Sequence, residues 1–254
     1  MQRYFLAENY EPKAQYEVGG EAYHHMVRVM RMTPGQQVYL VFQNQVSLIA
    51  ELETVQDEVV FLKEIAKEQQ DKELPIAITI ASGYPKGDKL DLIVQKGTEL
   101  GAAGFIGFPA KTSVVKWDAK KLSKKQQRLE KIAQEAAEQS HRQVTPSVIL
   151  LDSQAAFYQQ LTNFDVVVVA YEEAAKQGEM AQLAQVLQSI APGSRMLAIF
   201  GPEGGLTPTE IEQLQEKNAQ ICGLGPRILR TETAPFYLLS AASYQLELSR
   251  PTLD

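Results

Sequence analysis

The chain has 254 residues, of which 44% are apolar and 22% are charged, and this balance is typical of a globular protein and excludes wholesale disorder. Its 25 Lys and Arg residues against 31 Asp and Glu residues give a net charge of −6, which excludes a generally basic protein that coats nucleic acid. The chain has one cysteine and three scattered histidines, so we expect no disulfide bond and no metal site. It has no apolar run near the ~20 residues that span a bilayer, so we expect a cytoplasmic protein without a membrane partner.

The first part of the chain has the pattern of a small β-rich domain. Strand-like segments recur over 3–6, 37–42, 47–52 and 59–65. Between them, Tyr23, Val27 and Met30 have the spacing of one helix face and predict a helix over 21–31. Short strands at this spacing are typical of a small β-barrel. A polar stretch over 67–73 follows, and we place the domain boundary there, so that the domains are 1–72 and 73–254.

From residue 74 onward, predicted strands and helices alternate. The predicted strands cover 75–81, 104–108, 148–151, 165–170, 195–200 and 219–224. The predicted helices cover 89–100, 123–140, 179–190, 207–217 and 234–249. Ser123 is expected to cap the second of these helices, and Thr207, Pro208 and Glu210 have the spacing of a capping box. The alternation predicts an α/β domain, with a parallel sheet that carries helices on both faces.

Parallel sheets bind ligands at the carboxyl ends of their strands, so the loops there are the first place to look for a site. The chain contains no P-loop, no Gly-x-Gly-x-x-Gly fingerprint and no Gly-x-Ser-x-Gly elbow. It does contain Gly201-Pro202-Glu203-Gly204-Gly205 directly after a predicted strand. Three glycines in five residues let a backbone take positive φ and approach a ligand closely, although a tight turn alone is the simpler alternative.

Two further segments are rich in polar groups. The loop 224–234 follows the last predicted strand and holds Arg227, Arg230 and Glu232, and its Thr233 is a candidate cap of the last helix. The stretch 111–142 holds nine basic and four acidic residues, a local charge of +5, together with Trp117, the only tryptophan. A tryptophan in a basic segment can stack on a nucleic-acid base, while a solvated helix face is the alternative.

Together these segments resemble a known family. The stretch 201–205 followed by 224–234 is similar to the cofactor signature of the SPOUT methyltransferases, and more narrowly to the RsmE family, which methylates N3 of uridine 1498 in 16S ribosomal RNA. The segments 24–31, 96–101, 113–117 and 135–140 agree, so the match covers nearly the whole chain. One departure is Gln43-Asn44-Gln45, where the family has an Asp-Gly turn, and it puts contacts of that loop in doubt.

The resemblance implies a fold, a cofactor and an assembly. It implies a SPOUT-type sheet with a C-terminal trefoil knot, a PUA-like RNA-binding barrel at the N-terminus, and a homodimer with active sites near the subunit interface. S-Adenosylmethionine is the implied cofactor. Its expected binding residues are those of the two loops: Gly201, Pro202, Glu203, Gly204, Gly205, Leu224, Gly225, Ile228, Leu229, Thr233 and Ala234.

The target nitrogen is weakly acidic, and it must lose its proton before or during methyl transfer. A positive neighbour stabilises the anion that develops, and Arg230 is the first candidate for this role. Glu203 or Glu232 could accept the proton, and the sequence does not choose between them. The candidate contacts to RNA are Arg3, Arg28, Arg31, Lys116, Trp117, Arg142 and Arg227.

The implied function is therefore S-adenosylmethionine-dependent methylation of N3 of uridine 1498, with 16S ribosomal RNA of the assembled small subunit as the partner. One alternative is a SPOUT methyltransferase that acts on another ribosomal or transfer RNA position. Another is an RNA-binding relative without catalysis, although the intact glycines at 201, 204 and 205 and both arginines of the second loop speak against it.

Overall fold

The computed structural model describes residues 1–173 and 181–249. The chain forms two compact units. The first comprises residues 1–73 together with 137–144, and the second comprises the rest of the chain. The segment 137–144 therefore folds with the N-terminal unit, although it lies far along the sequence. The assignment of 1–72 and 73–254 as separate domains remains a prediction.

The first unit is built on a five-stranded sheet. Its strands are β1 (Arg3–Phe5), β2 (Tyr16–Val18), β3 (Gln37–Val41), β4 (Ser47–Gln56) and β5 (Val59–Lys67). Their spatial order is β1-β3-β4-β5-β2, with β1 parallel to β3 and the other neighbours antiparallel. The four predicted strands are confirmed, and β2, with only three residues, is too short to give a periodic signal.

The predicted N-terminal helix exists, but its geometry differs from the expectation. Helix α1 (Gly20–Tyr23) continues as a π-helical segment over His24–Val29, in which the N–H of Met30 bonds to the carbonyl of His25. The wider turn changes which residues face inward. Met26 is fully buried and Met30 is 42% exposed, so Met30 does not share a buried face with Tyr23 and Val27, which pack against the core.

A buried ion pair links the two ends of the first unit. The guanidinium of Arg3, which is 2% exposed, donates to both carboxylate oxygens of Glu68 at 2.8 Å and to Ser47 Oγ at 3.1 Å. Burial alone would raise the pKa of Glu68, but hydrogen bonds from Lys72, Arg3 and Ser47 outweigh it and hold the pKa at about 2, against an ordinary 4.5. The segment 67–73 is therefore packed into the unit by Glu68 and is not only a linker.

We expect Glu68→Gln to destabilise the protein by about 3 kcal/mol at neutral pH, because it leaves the Arg3 guanidinium buried without its carboxylate. The folded pKa of Glu68 is depressed, so its contribution is present above pH ~4.5 and is lost as the pH falls toward ~2. Urea unfolding of both proteins at several pH values measures this loss. The control is Glu8→Gln, which removes an exposed pair with Lys13 and should change stability by less than about 1 kcal/mol. Equal effects of the two substitutions would contradict the prediction.

The second unit is built on a six-stranded sheet in which every neighbouring pair is parallel. Its strands, in the order β11-β9-β10-β6-β7-β8, are β6 (Ala77–Gly83), β7 (Gly104–Phe108), β8 (Ser147–Leu150), β9 (Val166–Ala170), β10 (Arg195–Phe200) and β11 (Gln220–Cys222). The helices are α2 (Lys89–Glu99), α3 (Ala119–Gln139), α4 (Gln154–Gln160), α5 (Gln182–Ser189), α6 (Pro208–Gln215) and α7 (Thr233–Ser243). The predicted α/β class is confirmed.

Helices cover both faces of this sheet, as strand β10 illustrates. Met196, Ala198 and Phe200 point into a core with helices α2, α3, α5 and α7. Leu197 and Ile199 point the other way, into a core with helices α4 and α6. A strand that is buried on both faces is apolar throughout, and burial of this kind is the main source of stability of the unit.

Several predicted boundaries need correction. Helix α3 begins at Ala119, so Ser123 lies inside the helix and does not cap it. Asp118 has the capping position, and its carboxylate accepts a hydrogen bond from the N–H of Lys121 at 2.8 Å. Helix α4 was not predicted. The predicted helix 179–190 begins among residues outside the described part of the chain, and α5 covers the remainder. The last predicted helix is α7 followed by a π-helical segment, Tyr244–Leu248.

The trefoil knot remains a prediction from the family resemblance. No helix in the described part of the chain is long and apolar enough to cross a membrane. Within residues 1–173 and 181–249, no three His, Cys, Asp or Glu side chains are grouped so as to hold a metal ion.

Candidate active site

Loops after four strands of the second unit meet at one edge of its sheet. Strands β7, β6 and β10 are consecutive neighbours, and parallel strands present their carboxyl ends on the same side. The loops that follow β6, β7, β10 and β11 begin at residues 84, 109, 201 and 223. Direct contacts among them define the candidate site.

The glycine loop, residues 201–205, is a tight turn whose glycines have different roles. The N–H of Gly205 donates to the carbonyl of Pro202 at 2.8 Å, and Gly205 has a φ of +68° that disfavours side chains. At Gly201 a Cβ atom would lie 2.7 Å from the backbone carbon of Gly205. The loop therefore requires glycine at 201 for space and at 205 for conformation.

Buried polar contacts fix this loop against the one after β7. Thr112 Oγ1 donates to the carbonyl of Gly205 at 2.5 Å. Glu210 is 1% exposed, and besides closing the predicted capping box with Thr207 its carboxylate accepts from the N–H of Lys111 at 2.8 Å and from Gln154 Nε2 at 2.5 Å. The capping box is confirmed. The additional role of Glu210 was missed because its partners lie 56 and 99 residues away.

The second loop, residues 224–234, runs into helix α7, whose first residue is Thr233. Gly225 has a φ of +84°, and the carbonyl of Arg230 accepts from the N–H groups of Thr233 and Ala234. The residue at the helix cap is Glu232, and its side chain makes no capping bond, so the capping role predicted for Thr233 is wrong. The side chains of Arg227, Ile228 and Arg230 are exposed. The predicted cofactor contacts of both loops remain predictions.

The two candidate carboxylates share one ammonium group. Lys89 Nζ lies 2.9 Å from Glu203 Oε1 and 3.4 Å from Glu232 Oε2. Burial alone would raise the pKa of Glu203, but hydrogen bonds from Lys89 and the backbone lower it overall, and the pKa of Lys89 is raised chiefly by its hydrogen bond to Glu203. Glu232 pairs with Lys89, not with Arg230. Sequence reasoning missed Lys89, since nothing local distinguishes it.

Two buried side-chain oxygens in these loops lack a hydrogen bond of good geometry within the described residues. They are Ser113 Oγ, after β7, and Glu232 Oε2. Buried polar atoms normally have partners, so unsatisfied atoms beside a glycine-rich loop fit a polar ligand. A cofactor with amino, carboxylate and hydroxyl groups offers both donors and acceptors for such atoms.

The predicted RNA contacts divide into exposed and buried residues. Arg28, Arg31, Lys116 and Arg227 are exposed. The structure argues against phosphate contacts by Arg3 and Arg142, since both are at most 3% exposed and are paired with Glu68 and Glu73.

Trp117 is half-buried in the core of the second unit. Its ring lies 4.4 Å from that of Tyr84, and Lys125 Nζ lies 4.9 Å from the ring centre. These contacts leave the indole less surface for stacking on a base than the sequence suggests.

The fold and the two loops together define an RNA methyltransferase. A family model described as an RNA methyltransferase domain matches residues 72–243, and one described as an RNA methyltransferase PUA domain matches residues 18–65. The chain is 50% identical to the ribosomal RNA small subunit methyltransferase E of Bacillus subtilis, over 98% of this chain and 99% of the relative. The chain therefore belongs to the ribosomal RNA small subunit methyltransferase E family, and the predicted resemblance is confirmed.

Solved structures agree with this assignment. The crystal structure of a ribosomal RNA small subunit methyltransferase E from Neisseria gonorrhoeae, bound to S-adenosylmethionine, superposes with a TM-score of 0.81 at 25% identity and covers 96% of this chain and 97% of that one. A methyltransferase from Legionella pneumophila with the same bound cofactor has a TM-score of 0.78 at 26% identity, and covers 95% and 96%.

Proposed function

We propose that this chain catalyses transfer of the methyl group of S-adenosylmethionine to N3 of uridine 1498 in 16S ribosomal RNA. The proposal rests on one observation: in a chain of this family, Lys89 contacts Glu203 of the glycine loop and Glu232 of the second loop at one edge of the sheet. The substrate is the small ribosomal subunit, and the protein works in the cytoplasm.

The glycine loop and the second loop would hold the cofactor. Glycines at 201, 204 and 205 leave their backbone accessible, and the half-buried Leu224 and Leu229 offer apolar surface to an adenine ring. Ser113 Oγ offers an acceptor to a polar group of the cofactor. When bound, S-adenosylmethionine supplies a methyl group that its sulfonium already activates.

The chain's own residues prepare the RNA nitrogen. Arg230 carries an exposed positive charge that stabilises the N3 anion as it develops. Glu203 and Glu232 are the candidate acceptors of the N3 proton. Orientation of the base against these groups supplies the remainder of the acceleration, since a positioned reactant loses little further entropy.

The exposed arginines and lysines hold the RNA. Arg28 and Arg31 in the N-terminal unit, and Lys116 and Arg227 in the other, would contact phosphates and position the RNA without reading its sequence. Residues 1–72 are then the recognition domain, and 73–254 the catalytic one.

We also infer that the chain forms a homodimer through its last helical segment. The last predicted helix has an apolar face with Phe236, Leu239 and Leu246, but Leu239 and Leu246 are buried within the second unit and are not available for a contact between subunits. Tyr237, Tyr244 and Leu248 are instead 40%, 63% and 74% exposed.

We expect Leu248→Asp to shift the mass measured by light scattering from two subunits toward one at micromolar concentration, because a charge in an apolar interface is costly. Val29→Asp, in the other unit, is the control. A monomeric wild type would refute the inference.

A transfer assay tests the proposed function. Purified protein is incubated with methyl-labelled S-adenosylmethionine and with small ribosomal subunits that lack the N3 methyl group. We expect label in 16S RNA on uridine N3, and little on transfer RNA. Label only on transfer RNA, or binding of RNA without any transfer, would contradict the proposal.

A further inference from the structure

Lys89 is the first residue of helix α2, and its ammonium connects loops from three parts of the chain. It lies in the segment that follows β6, while Glu203 lies in the glycine loop and Glu232 immediately before α7. Its other charged neighbours along the helix are Asp88 and Asp91, and Asp91 pairs with Arg128 at 2.5 Å. The ammonium is thus directed to the two site carboxylates.

The two carboxylates differ in how fully they are bound. Glu203 accepts from Lys89, and also from the backbone N–H of Lys86 at 3.1 and 3.4 Å. Glu232 has its longer, 3.4 Å contact with Lys89, and its Oε2 makes no hydrogen bond of good geometry in the described part of the chain. The side chain of Glu232 is also less exposed, at 14% against 29% for Glu203. Hydrogen bonds to a carboxylate make it a weaker proton acceptor, so the smaller number of donors at Glu232 favours Glu232 over Glu203.

We propose that Lys89 is a positioning residue, which Glu203 fixes in place and which in turn orients Glu232 as the acceptor of the uracil N3 proton. This inference rests on the proposed function. Glu232 gains the proton that N3 loses when the methyl group arrives, and it releases that proton to solvent after the product departs. Glu203 then has a supporting role, and Glu232 is the proton acceptor of the two candidates.

Without Lys89, the two carboxylates would lose the positive charge that lies 2.9 Å from Glu203 and 3.4 Å from Glu232. Like charges at short range raise the pKa of one partner, and burial acts in the same direction. The pKa of Glu203, which its hydrogen bond from Lys89 helps to lower, would rise without that bond. We therefore expect loss of the ammonium to move the acidic fall of the rate to higher pH.

The test is the single-turnover rate of methyl transfer to small ribosomal subunits from pH 5.5 to 8, for the wild type, Lys89→Met and Lys89→Arg. The matched control is Lys96→Met, which removes an exposed lysine of the same helix that pairs with Glu99. S-Adenosylmethionine affinity is measured by calorimetry for each protein. We expect the acidic fall of the Lys89→Met rate to lie at higher pH than that of the wild type, while Lys89→Arg and Lys96→Met keep the wild-type pH profile.

The outcomes separate the inference from its premise. A Lys89→Met rate and cofactor affinity that fall together by the same factor at every pH would show a cross-link that only holds the loops, and would overturn the proposal. A normal profile in Lys89→Met would overturn it as well. If Lys89→Met does not fold, Glu232→Gln and Glu203→Gln decide: we expect the first to lose far more rate than the second, and the reverse order would refute the assignment. A wild type that transfers no methyl group refutes the proposed function instead.

Discussion

We expect replacement of Arg230 by Ala to lower the single-turnover rate of methyl transfer by about 10²–10³, with little change in cofactor affinity. Removal of one preorganised electrostatic group has an effect of this size when it stabilises charge that develops only in the transition state. The substitution keeps the Arg230 carbonyl, which accepts hydrogen bonds from the N–H groups of Thr233 and Ala234 at the start of helix α7. The loop should therefore retain its structure. The rate of the variant should also rise more steeply with pH. Without Arg230, the reaction depends more on uracil whose N3 has already lost its proton to solvent.

Two further variants make the Arg230 experiment decisive. Arg230→Lys keeps the charge but loses the planar fork, so it should recover part of the rate. Arg195→Ala, at the opposite end of strand β10, removes an exposed arginine paired with Asp165 and should leave the rate unchanged. The simple structural alternative for Arg230, a pair with Glu232, is disfavoured, since Glu232 contacts Lys89. A near-normal rate in Arg230→Ala would remove it from the catalytic residues.

We expect replacement of Gly201 by Ala to abolish binding of S-adenosylmethionine. The added Cβ would lie 2.7 Å from the carbon and 2.9 Å from the Cα of Gly205, both backbone atoms that cannot rotate away. The turn must therefore open, and the backbone of the glycine loop moves from the position that the ligand requires. Calorimetric titration with the cofactor measures the loss, and thermal unfolding reports the stability of the same sample.

The control for Gly201 separates local strain from loss of the site. Gly193 has a φ of +80° and open space around its Cβ position, and it lies in the turn before β10, at the amino end of that strand. Gly193→Ala should lower stability by about 1 kcal/mol and leave cofactor affinity unchanged. Unchanged titration heat in Gly201→Ala would contradict the assignment of this loop to the cofactor.

Sequence reasoning was most successful where the determinants are local. Strands β7 and β10 were predicted with their observed bounds, because a fully buried parallel strand gives a continuous apolar run between turn residues. The capping box of α6 was predicted because all its atoms lie within four residues. Helix α4 was missed since seven residues carry little periodic information, and the π-helical segment after α1 was missed because its wider turn departs from the assumed period.

The sequence indicated the two loops of the candidate site but not the contacts between their side chains. The two loops after β10 and β11 carry their own signals in glycines and arginines. The pairing of Lys89 with Glu203 and Glu232 joins residues more than 100 positions apart, and no spacing predicts it. The same reason explains Arg3, which reads as an exposed terminal arginine but is buried against Glu68, 65 residues later.

The most direct test of the central claim is mass mapping of 16S ribosomal RNA from cells that lack this gene, beside the same cells complemented with the wild type or with Arg230→Ala. We predict that the fragment containing uridine 1498 loses the mass of one methyl group in the deletion strain. It should regain that mass with the wild type, and regain far less with Arg230→Ala. An unchanged fragment in the deletion strain, with methylation lost at another ribosomal or transfer RNA position, would contradict the account.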